Sequence, residues 1–256
     1  MQLNIKLATR VPVSRLVLAA AIVAVPATAS LDRMAAAEVK PSDVTAETVI
    51  ETSSEASSVF DATAWAEARI GAVNTQVFAL ALQAAATAVE RGDAEPSTLT
   101  VIDFSRPSTQ KRLWVYDLRS RSMLFEELVS HGRNSGMNLA TAFSNVAESN
   151  MSSLGLYRTA EAYIGKHGYS LRLDGLDRGF NDRARERAIV IHGAEYVSAA
   201  ITKAQGRLGR SLGCPAVRPE VSRELIEAVK GGGLVFAYYP DPKWLQTSAY
   251  VSSVAP

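Results

Sequence analysis

The residues of this sequence best suited to covalent chemistry are one cysteine and the turn that carries it. Cys214 is the only cysteine among 256 residues, and it directly follows Gly213. Glycine lets the backbone turn sharply, so N–H groups beside the thiol can converge on a developing oxyanion, and Ser211 can hydrogen-bond within the same turn. Nearby arginines raise the local positive potential and favour a thiolate: Arg207, Arg210 and Arg218. Cys214 is a candidate nucleophile, although an inert buried thiol or an intermolecular disulfide would also explain a lone cysteine.

A histidine suited to act as the base follows an apolar run. Residues 188–191 are Ala, Ile, Val and Ile, and His192 and Gly193 come next. A neutral imidazole at a strand end could take the thiol proton and complete the Cys–His pair of nucleophilic catalysis. A histidine that only caps the strand through backbone contacts is the alternative.

Other histidines and a group of arginines are weaker candidates for substrate contact. His131 and His167 each precede a glycine and could line a cleft, or could simply bond to loop backbone. Arginine suits carboxylate recognition through paired hydrogen bonds, and one stretch is rich in it: Arg172, Arg178, Arg183, Arg185 and Arg187. Neighbouring acidic residues could neutralise several of them: Asp174, Asp177, Asp182 and Glu186.

The elements that position these residues are mainly short β-strands. Runs rich in branched or aromatic residues, separated by turn-forming stretches, predict strands at 98–104, 112–117, 123–129, 169–173, 188–191 and 234–239. Residues 221–230 predict a short helix that ends at three glycines. Between residues 132 and 187 the pattern indicates long ordered loops that form a binding surface. The fold class predicted is a mainly β domain.

A helix precedes this β domain. Residues 64–91 are helical in character, and one face carries Phe78, Leu82, Ala85 and Val89. Asn74 is a candidate cap, and Gly92 with Pro96 supplies a stop. We expect a helical segment over residues 62–96 that packs on the domain at 97–256.

The first 61 residues predict export. Basic residues precede an apolar run at 16–25 and a small-residue triplet at 27–29, which is the pattern of a signal peptide over residues 1–29. An uncleaved anchor is the alternative. Residues 30–61 are rich in Ala, Ser, Thr and acids and predict a flexible tether. The 27 basic and 26 acidic residues give no drive toward nucleic acid, and 47% hydrophobic residues suffice for a packed core.

Many short stretches, in one order over residues 97–240, resemble the murein L,D-transpeptidase catalytic domain family, which has the YkuD-like fold. The matching stretches are residues 129–132, 143–145, 152–157, 165–176, 179–181, 189–193 and 209–216. The resemblance implies an L,D-transpeptidase-like β-sandwich. It also implies peptidoglycan stem peptides as partners, a periplasmic or otherwise extracytoplasmic location, and chemistry without a metal or organic cofactor.

The resemblance also implies roles. Cys214 corresponds to the nucleophile and His192 to its base, the Gly193 carbonyl would orient the imidazole, and N–H groups of Gly213 and Cys214 would stabilise the oxyanion. The implied reaction forms an acyl-enzyme at an L-centre carbonyl, which an amine from a neighbouring stem resolves into a cross-link. We assign substrate contacts to five residues: Ser211, Arg210, His131, Tyr157 and Arg218.

Two departures from the family pattern concern substrate preference. Leu212 stands where the family usually has a second histidine, and the base and nucleophile are 22 positions apart, which is longer than usual. Both suggest an altered donor or acceptor.

Three other functions remain open on sequence alone. Hydrolysis of the same acyl-enzyme would make the protein an L,D-carboxypeptidase. A peptidoglycan-binding domain without catalysis would have kept the fold. A metal-dependent wall hydrolase would use His131, His167 and His192 with an acid such as Asp174, but no short-range ligand spacing supports it.

Overall fold

The computed structural model describes residues 59–252. The predicted signal peptide and all but the last three residues of the predicted tether lie outside this range. Within it, the prediction of a mainly β domain is confirmed: eight strands form one sheet in the order β3-β2-β1-β8-β4-β5-β6-β7. The strands are β1 (Thr98–Asp103), β2 (Leu113–Asp117), β3 (Ser122–Glu127), β4 (Gly155–Gly165), β5 (Gly168–Gly175), β6 (Val190–Gly193), β7 (Ala216–Val217) and β8 (Leu234–Tyr238).

Four α-helices accompany the sheet. They are α1 (Thr75–Glu90), α2 (Ala199–Gln205), α3 (Pro219–Val229) and α4 (Pro242–Thr247), and a 3-10 turn covers Ala62–Trp65. Helices α1 and α3 both pack against β1. Because helices cover it and strands flank it, β1 is buried at all six positions and reads as a continuous run without alternation. None of the helices in residues 59–252 is both long and apolar enough to cross a lipid bilayer.

The first helix begins later than the sequence predicts. Asn74 caps α1, since its side chain accepts hydrogen bonds from the N–H groups of Gln76 and Val77, so the cap was placed correctly but the helix does not extend back to residue 64. Phe78 is buried against Trp65 and Tyr116, with ring centroids 5.1 Å and 4.7 Å away. These aromatic contacts hold the helix and the preceding turn on the sheet.

The expectation of long loops over residues 132–187 is wrong for its second half. Strand β4 has 11 residues and pairs with β5 along its length and with β8 through its first four residues. A register shift after Thr159 interrupts the alternation of buried and exposed residues, so the sequence shows no clear period of two. The hydrogen bonds of the neighbouring strands, rather than local preference, make this segment extended.

Strand pairing at one edge of the sheet determines where the chemistry lies. The short strands β6 and β7 run parallel and place His192 opposite Ala216. Strand β5 pairs with β6 on the other side and places Ser170 opposite His192. His192 therefore lies in a strand that has a neighbour on each side. Its partner on β7, Ala216, is two residues after Cys214 in the chain.

Candidate active site

The turn that carries Cys214 is held by the hydroxyl of Ser211, which belongs to the turn, and by a neighbouring loop. The Ser211 hydroxyl donates to the Cys214 carbonyl at 2.6 Å and accepts from the Gly213 N–H at 3.1 Å. From the loop after β3, the Ser152 hydroxyl donates to the Gly213 carbonyl at 3.1 Å. Gly213 has a φ of +128°, a conformation that favours glycine. Ser211 therefore shapes the turn through its side chain.

These bonds change the expected oxyanion donors. The Gly213 N–H is engaged by Ser211, so it is not free to face an oxyanion in this structure. The physical reason is that Ser211, two residues before Gly213, turns that amide into the loop. Backbone hydrogen bonding at Val190 and at Cys214 itself favours the thiolate and opposes the burial that raises the pKa of Cys214.

His192 has the orientation that a general base requires. Its side chain is 1% exposed, and Nδ1 lies 2.9 Å from the Gly193 carbonyl oxygen. A carbonyl only accepts, so Nδ1 carries the proton and Nε2 presents its lone pair. Burial lowers the pKa of His192, and the nearby His167 ring lowers it further. The imidazole is neutral at pH 7 and can accept a proton.

Cys214 and His192 line one cavity of about 370 Å³. Its walls come from the β4–β5 turn, the start of β6 and the segment around the nucleophile. The lining residues are Tyr163, Lys166, His167, Arg187, Ala188, Val190, His192, Tyr196, Arg210, Ser211, Leu212 and Cys214. The structure brings together the predicted nucleophile, the predicted base, Ser211 and Arg210.

The thiol is protonated in the resting state. Burial raises the pKa of Cys214, and the sulfur lies 3.6 Å from the Ala188 carbonyl, to which the S–H donates. The sequence predicted that Arg207, Arg210 and Arg218 favour the thiolate, but Arg187 is the cation that lowers the pKa of Cys214 in the structure. A neutral thiol and a neutral imidazole that line the same cavity require proton transfer before nucleophilic attack.

A sequence profile of the L,D-transpeptidase catalytic domain matches residues 70–238, which is more than half of the chain. The chain belongs to this family. None of the curated proteins matches the sequence.

Several solved structures are similar to the chain at low sequence identity. An L,D-transpeptidase from Mycobacterium smegmatis is 13% identical, with a TM-score of 0.35 over 56% of this chain and 59% of that one. L,D-transpeptidase 3 from Mycobacterium tuberculosis is 14% identical, with a TM-score of 0.35 over 56% and 62%. The helical cell shape determining protein Pgp2 from Campylobacter jejuni is 16% identical, with a TM-score of 0.37 over 62% and 56%. The chain thus spans less than two thirds of the length of each.

Arg187 is a site residue of this L,D-transpeptidase domain that sequence reasoning did not single out. Its Nη1 donates to the Ser144 carbonyl at 2.7 Å, and its Nη2 donates to the Met151 carbonyl at 2.7 Å. Arg187 therefore holds the loop before β4 in place through these hydrogen bonds. Its charge also lowers the pKa of Cys214. The arginine-rich composition was visible in the sequence, but the partners of Arg187 lie more than 30 residues away.

His131 is placed inside the protein and outside the cavity walls. It is 1% exposed, and its Nδ1 accepts from Arg112 Nη2 at 2.7 Å. Arg112 is fully buried and also donates to the Val129 carbonyl. Burial, with the Arg112 charge second, lowers the pKa of His131 to about 4. The main-chain carbonyl of His131 accepts from the Ser211 N–H at 3.0 Å, so this residue supports the nucleophile turn from behind.

Two more predicted substrate residues are also occupied elsewhere. Tyr157 is 2% exposed, and its hydroxyl donates to the Ser153 carbonyl at 2.9 Å. Arg218 forms a bidentate ion pair with Glu127, at 2.7 Å and 2.9 Å. Neither lines the cavity with Cys214. Tyr157 is satisfied inside the domain by a residue four positions away, and half-buried Arg218 is satisfied by Glu127, which is 91 positions away.

The side chains of the alternative metal site do not form a ligand set. His131 is buried with Arg112, and His167 stacks on His192. Asp174 pairs with Arg185. Within residues 59–252, no three His, Cys, Asp or Glu side chains are grouped so that they could hold a metal ion.

Proposed function

We propose that this protein is a cysteine-dependent peptidoglycan L,D-transpeptidase, exported to the periplasm or another extracytoplasmic compartment. The observation that carries the proposal is the cavity shared by Cys214 and His192, with the imidazole held through Nδ1 so that Nε2 is free. Membership of the L,D-transpeptidase family supports peptidoglycan as the substrate and the wall side of the membrane as the location. The signal-peptide pattern in residues 1–29 supports export.

Acylation begins with proton transfer. His192 Nε2 takes the proton from the Cys214 thiol, and the sulfur attacks the L-centre carbonyl carbon of a stem peptide. The N–H groups near the sulfur stabilise the oxyanion, and Arg187 stabilises the sulfur while it is negatively charged. The intermediate collapses with cleavage of the peptide C–N bond. The leaving amine takes the proton back from the imidazolium, and a thioester with Cys214 remains.

Deacylation uses the same two residues in reverse. An amine from a neighbouring stem attacks the thioester carbon and gives its proton to His192 Nε2. The C–S bond breaks, and the sulfur regains the proton. A new amide bond then cross-links the two stems. No step needs a metal or an organic cofactor.

Intact-protein mass spectrometry with purified muropeptides tests this mechanism. We expect wild-type protein to gain the mass of an acyl group on Cys214 and to produce cross-linked muropeptides. Cys214→Ala should produce neither, while circular dichroism shows that it is folded. A wild-type protein that is folded but gives no adduct and no product would overturn the proposal. Stem peptides shortened without cross-linking would assign the hydrolytic reaction instead.

A further inference from the structure

The active-site cavity contains positive charge without a counter-charge in its walls. Three of its lining residues are cations, namely Lys166, Arg187 and Arg210, and none is an aspartate or a glutamate. A cavity of one sign attracts ligands of the opposite sign and strengthens their binding. Two of these cations, Lys166 in the β4–β5 turn and Arg210 beside the nucleophile, come from separate segments of the chain.

Several arginines outside the cavity are neutralised by carboxylates. Four of them pair with carboxylates: Arg172 with Glu161, Arg183 with Glu186, Arg185 with Asp174, and Arg218 with Glu127. None of the three cavity cations has such a partner among residues 59–252.

The three cavity cations differ in what they already bind. Arg187 uses its guanidinium on the loop before β4, as described above. Arg210 uses only Nη1, which donates to the Arg133 and Gly136 carbonyls at 3.0 Å each and approaches Met137. These bonds hold the arginine in place and leave Nη2 and Nε without protein acceptors in the described chain. Lys166 is exposed and has no hydrogen bond or ion pair there.

The Cys214 sulfur is not the counter-ion of Arg210 and Lys166. Arg187 is the cation that favours its ionisation, and neither Arg210 nor Lys166 contributes. Leu212, which is 59% exposed, and Tyr196 add apolar surface in the same cavity. The ligand that matches these walls carries an anionic group next to an apolar part.

We propose that Arg210 and Lys166 form a carboxylate subsite, which makes the enzyme select peptide donors with a free carboxylate over the same donors with that carboxylate amidated. This inference rests on the proposed function for its choice of ligand. Arg210 supplies a paired donor face, and Lys166 supplies a mobile second charge from the β4–β5 turn. An amide at the same place would leave both charges unpaired in a partly desolvated cavity.

Alkylation of the single cysteine measures the subsite without any peptide. Iodoacetate and iodoacetamide both form an S–C bond at the thiolate and release iodide, but only iodoacetate carries a carboxylate. We expect their rate ratio at Cys214 to exceed the ratio for N-acetylcysteine amide about tenfold at low ionic strength. The Arg210→Gln/Lys166→Gln double variant should lose this excess. Arg178→Gln, which removes an exposed arginine outside the cavity, should retain it.

Binding to the Cys214→Ala protein then identifies the ligand, since it needs no turnover. We expect a tetrapeptide muropeptide with a free terminal carboxylate to bind about tenfold more tightly than its terminal amide, as measured by calorimetry. Lys166→Gln, which removes no contact within the domain, should reduce this preference, and Arg210→Lys should keep part of it. Equal binding of the two peptides, or an alkylation ratio that the double variant leaves unchanged, would overturn the subsite. Neither readout depends on acyl transfer, so a failed transpeptidase assay would refute the proposed function alone.

Discussion

The imidazole ring of His167 stacks on the ring of His192, with centroids 4.4 Å apart and planes inclined by 25°. His167 comes from the turn between β4 and β5, and His192, the proposed base, lies near the end of β6. Positive charge on one ring disfavours positive charge on the other. This contact therefore adds to burial, the larger cause, in lowering the pKa of His192.

The pH dependence of acylation should report this contact. The base must be neutral, so kcat/KM is lost as pH falls through the pKa of His192, and we expect this acid limb below pH 6.5. His167→Phe keeps an aromatic ring but removes the repulsion, so the limb should move upward toward pH 6.5. Tyr163→Phe, an uncharged change in the same hairpin, should leave it in place. An acid limb that is unchanged or moves to lower pH in His167→Phe would contradict the coupling.

Buried His131 should make stability depend on pH. Its pKa is lowered from 6.5 to about 4 in the folded protein. Between these values the unfolded chain binds more protons, so stability falls as pH is lowered from about 6.5 to about 4 and is fully present above that window. We expect a contribution of about 3 kcal/mol.

Urea unfolding at pH 7 and pH 4.5 checks the His131 prediction. The loss of unfolding free energy between the two pH values should be smaller in His131→Gln than in wild type, whatever the absolute stability of the variant. Val146→Thr replaces an exposed residue that has no ionisable group and should show the wild-type loss. An equal loss in His131→Gln would show that this residue is not the titrating group.

Arg187 should affect both the loop and the thiol. Arg187→Gln removes donors to two half-buried carbonyls, which should cost about 1 kcal/mol of unfolding free energy. It also removes a cation near the sulfur, so the pKa of Cys214 should rise further and iodoacetamide alkylation at pH 7 should slow. Arg187→Lys should recover the alkylation rate more than the stability, because lysine keeps the positive charge but lacks the paired N–H donors of the guanidinium.

Arg183→Gln is the matched control for the Arg187 variants. The Arg183 side chain is exposed and pairs with Glu186. Removing its charge should therefore change the unfolding free energy by less than about 0.5 kcal/mol. Equal effects of the Arg183 and Arg187 substitutions on alkylation would refute a specific role for Arg187.

Gly213 should tolerate no side chain. A Cβ there would lie 2.8 Å from the Met151 carbonyl oxygen, and the φ of +128° is strained for other residues. Gly213→Ala should displace the nucleophile turn and reduce kcat/KM about 100-fold, as small misplacements of catalytic groups do.

Gly231→Ala separates the two causes in the Gly213 experiment. Gly231 also has a positive φ, of +78°, but a Cβ would meet nothing within 4 Å. It should therefore cost only about 1 kcal/mol of stability and leave turnover unchanged. Wild-type turnover in Gly213→Ala would show that the turn has room to adjust.

The sequence predicted elements best where local preference and final environment agree. Strands β1, β2 and β8 were found within two residues at each end, since their β-branched and aromatic runs are buried in the sheet. Strand β4 was missed because a register shift breaks its pattern. Helices α2 and α4 were missed because each is shorter than two full turns and has few buried residues.

The sequence by itself determined the chemical types of the site. One cysteine in a glycine turn, and one histidine with a glycine after it at a strand end, made Cys214 and His192 candidates, and the family resemblance predicted their roles. Motifs of this kind are local, and the backbone geometry that they need is encoded in adjacent residues.

Only the tertiary structure decided which polar residues surround that pair. The sequence could not separate Arg187 and Arg210, which line the cavity, from Arg185 and Arg218, which are paired with carboxylates. Nor could it show that His131 is buried while His167 stacks on the base. The reason is physical: whether a charge is neutralised, buried or free depends on partners brought close by strand pairing and loop packing, and these partners lie tens of residues away in the chain.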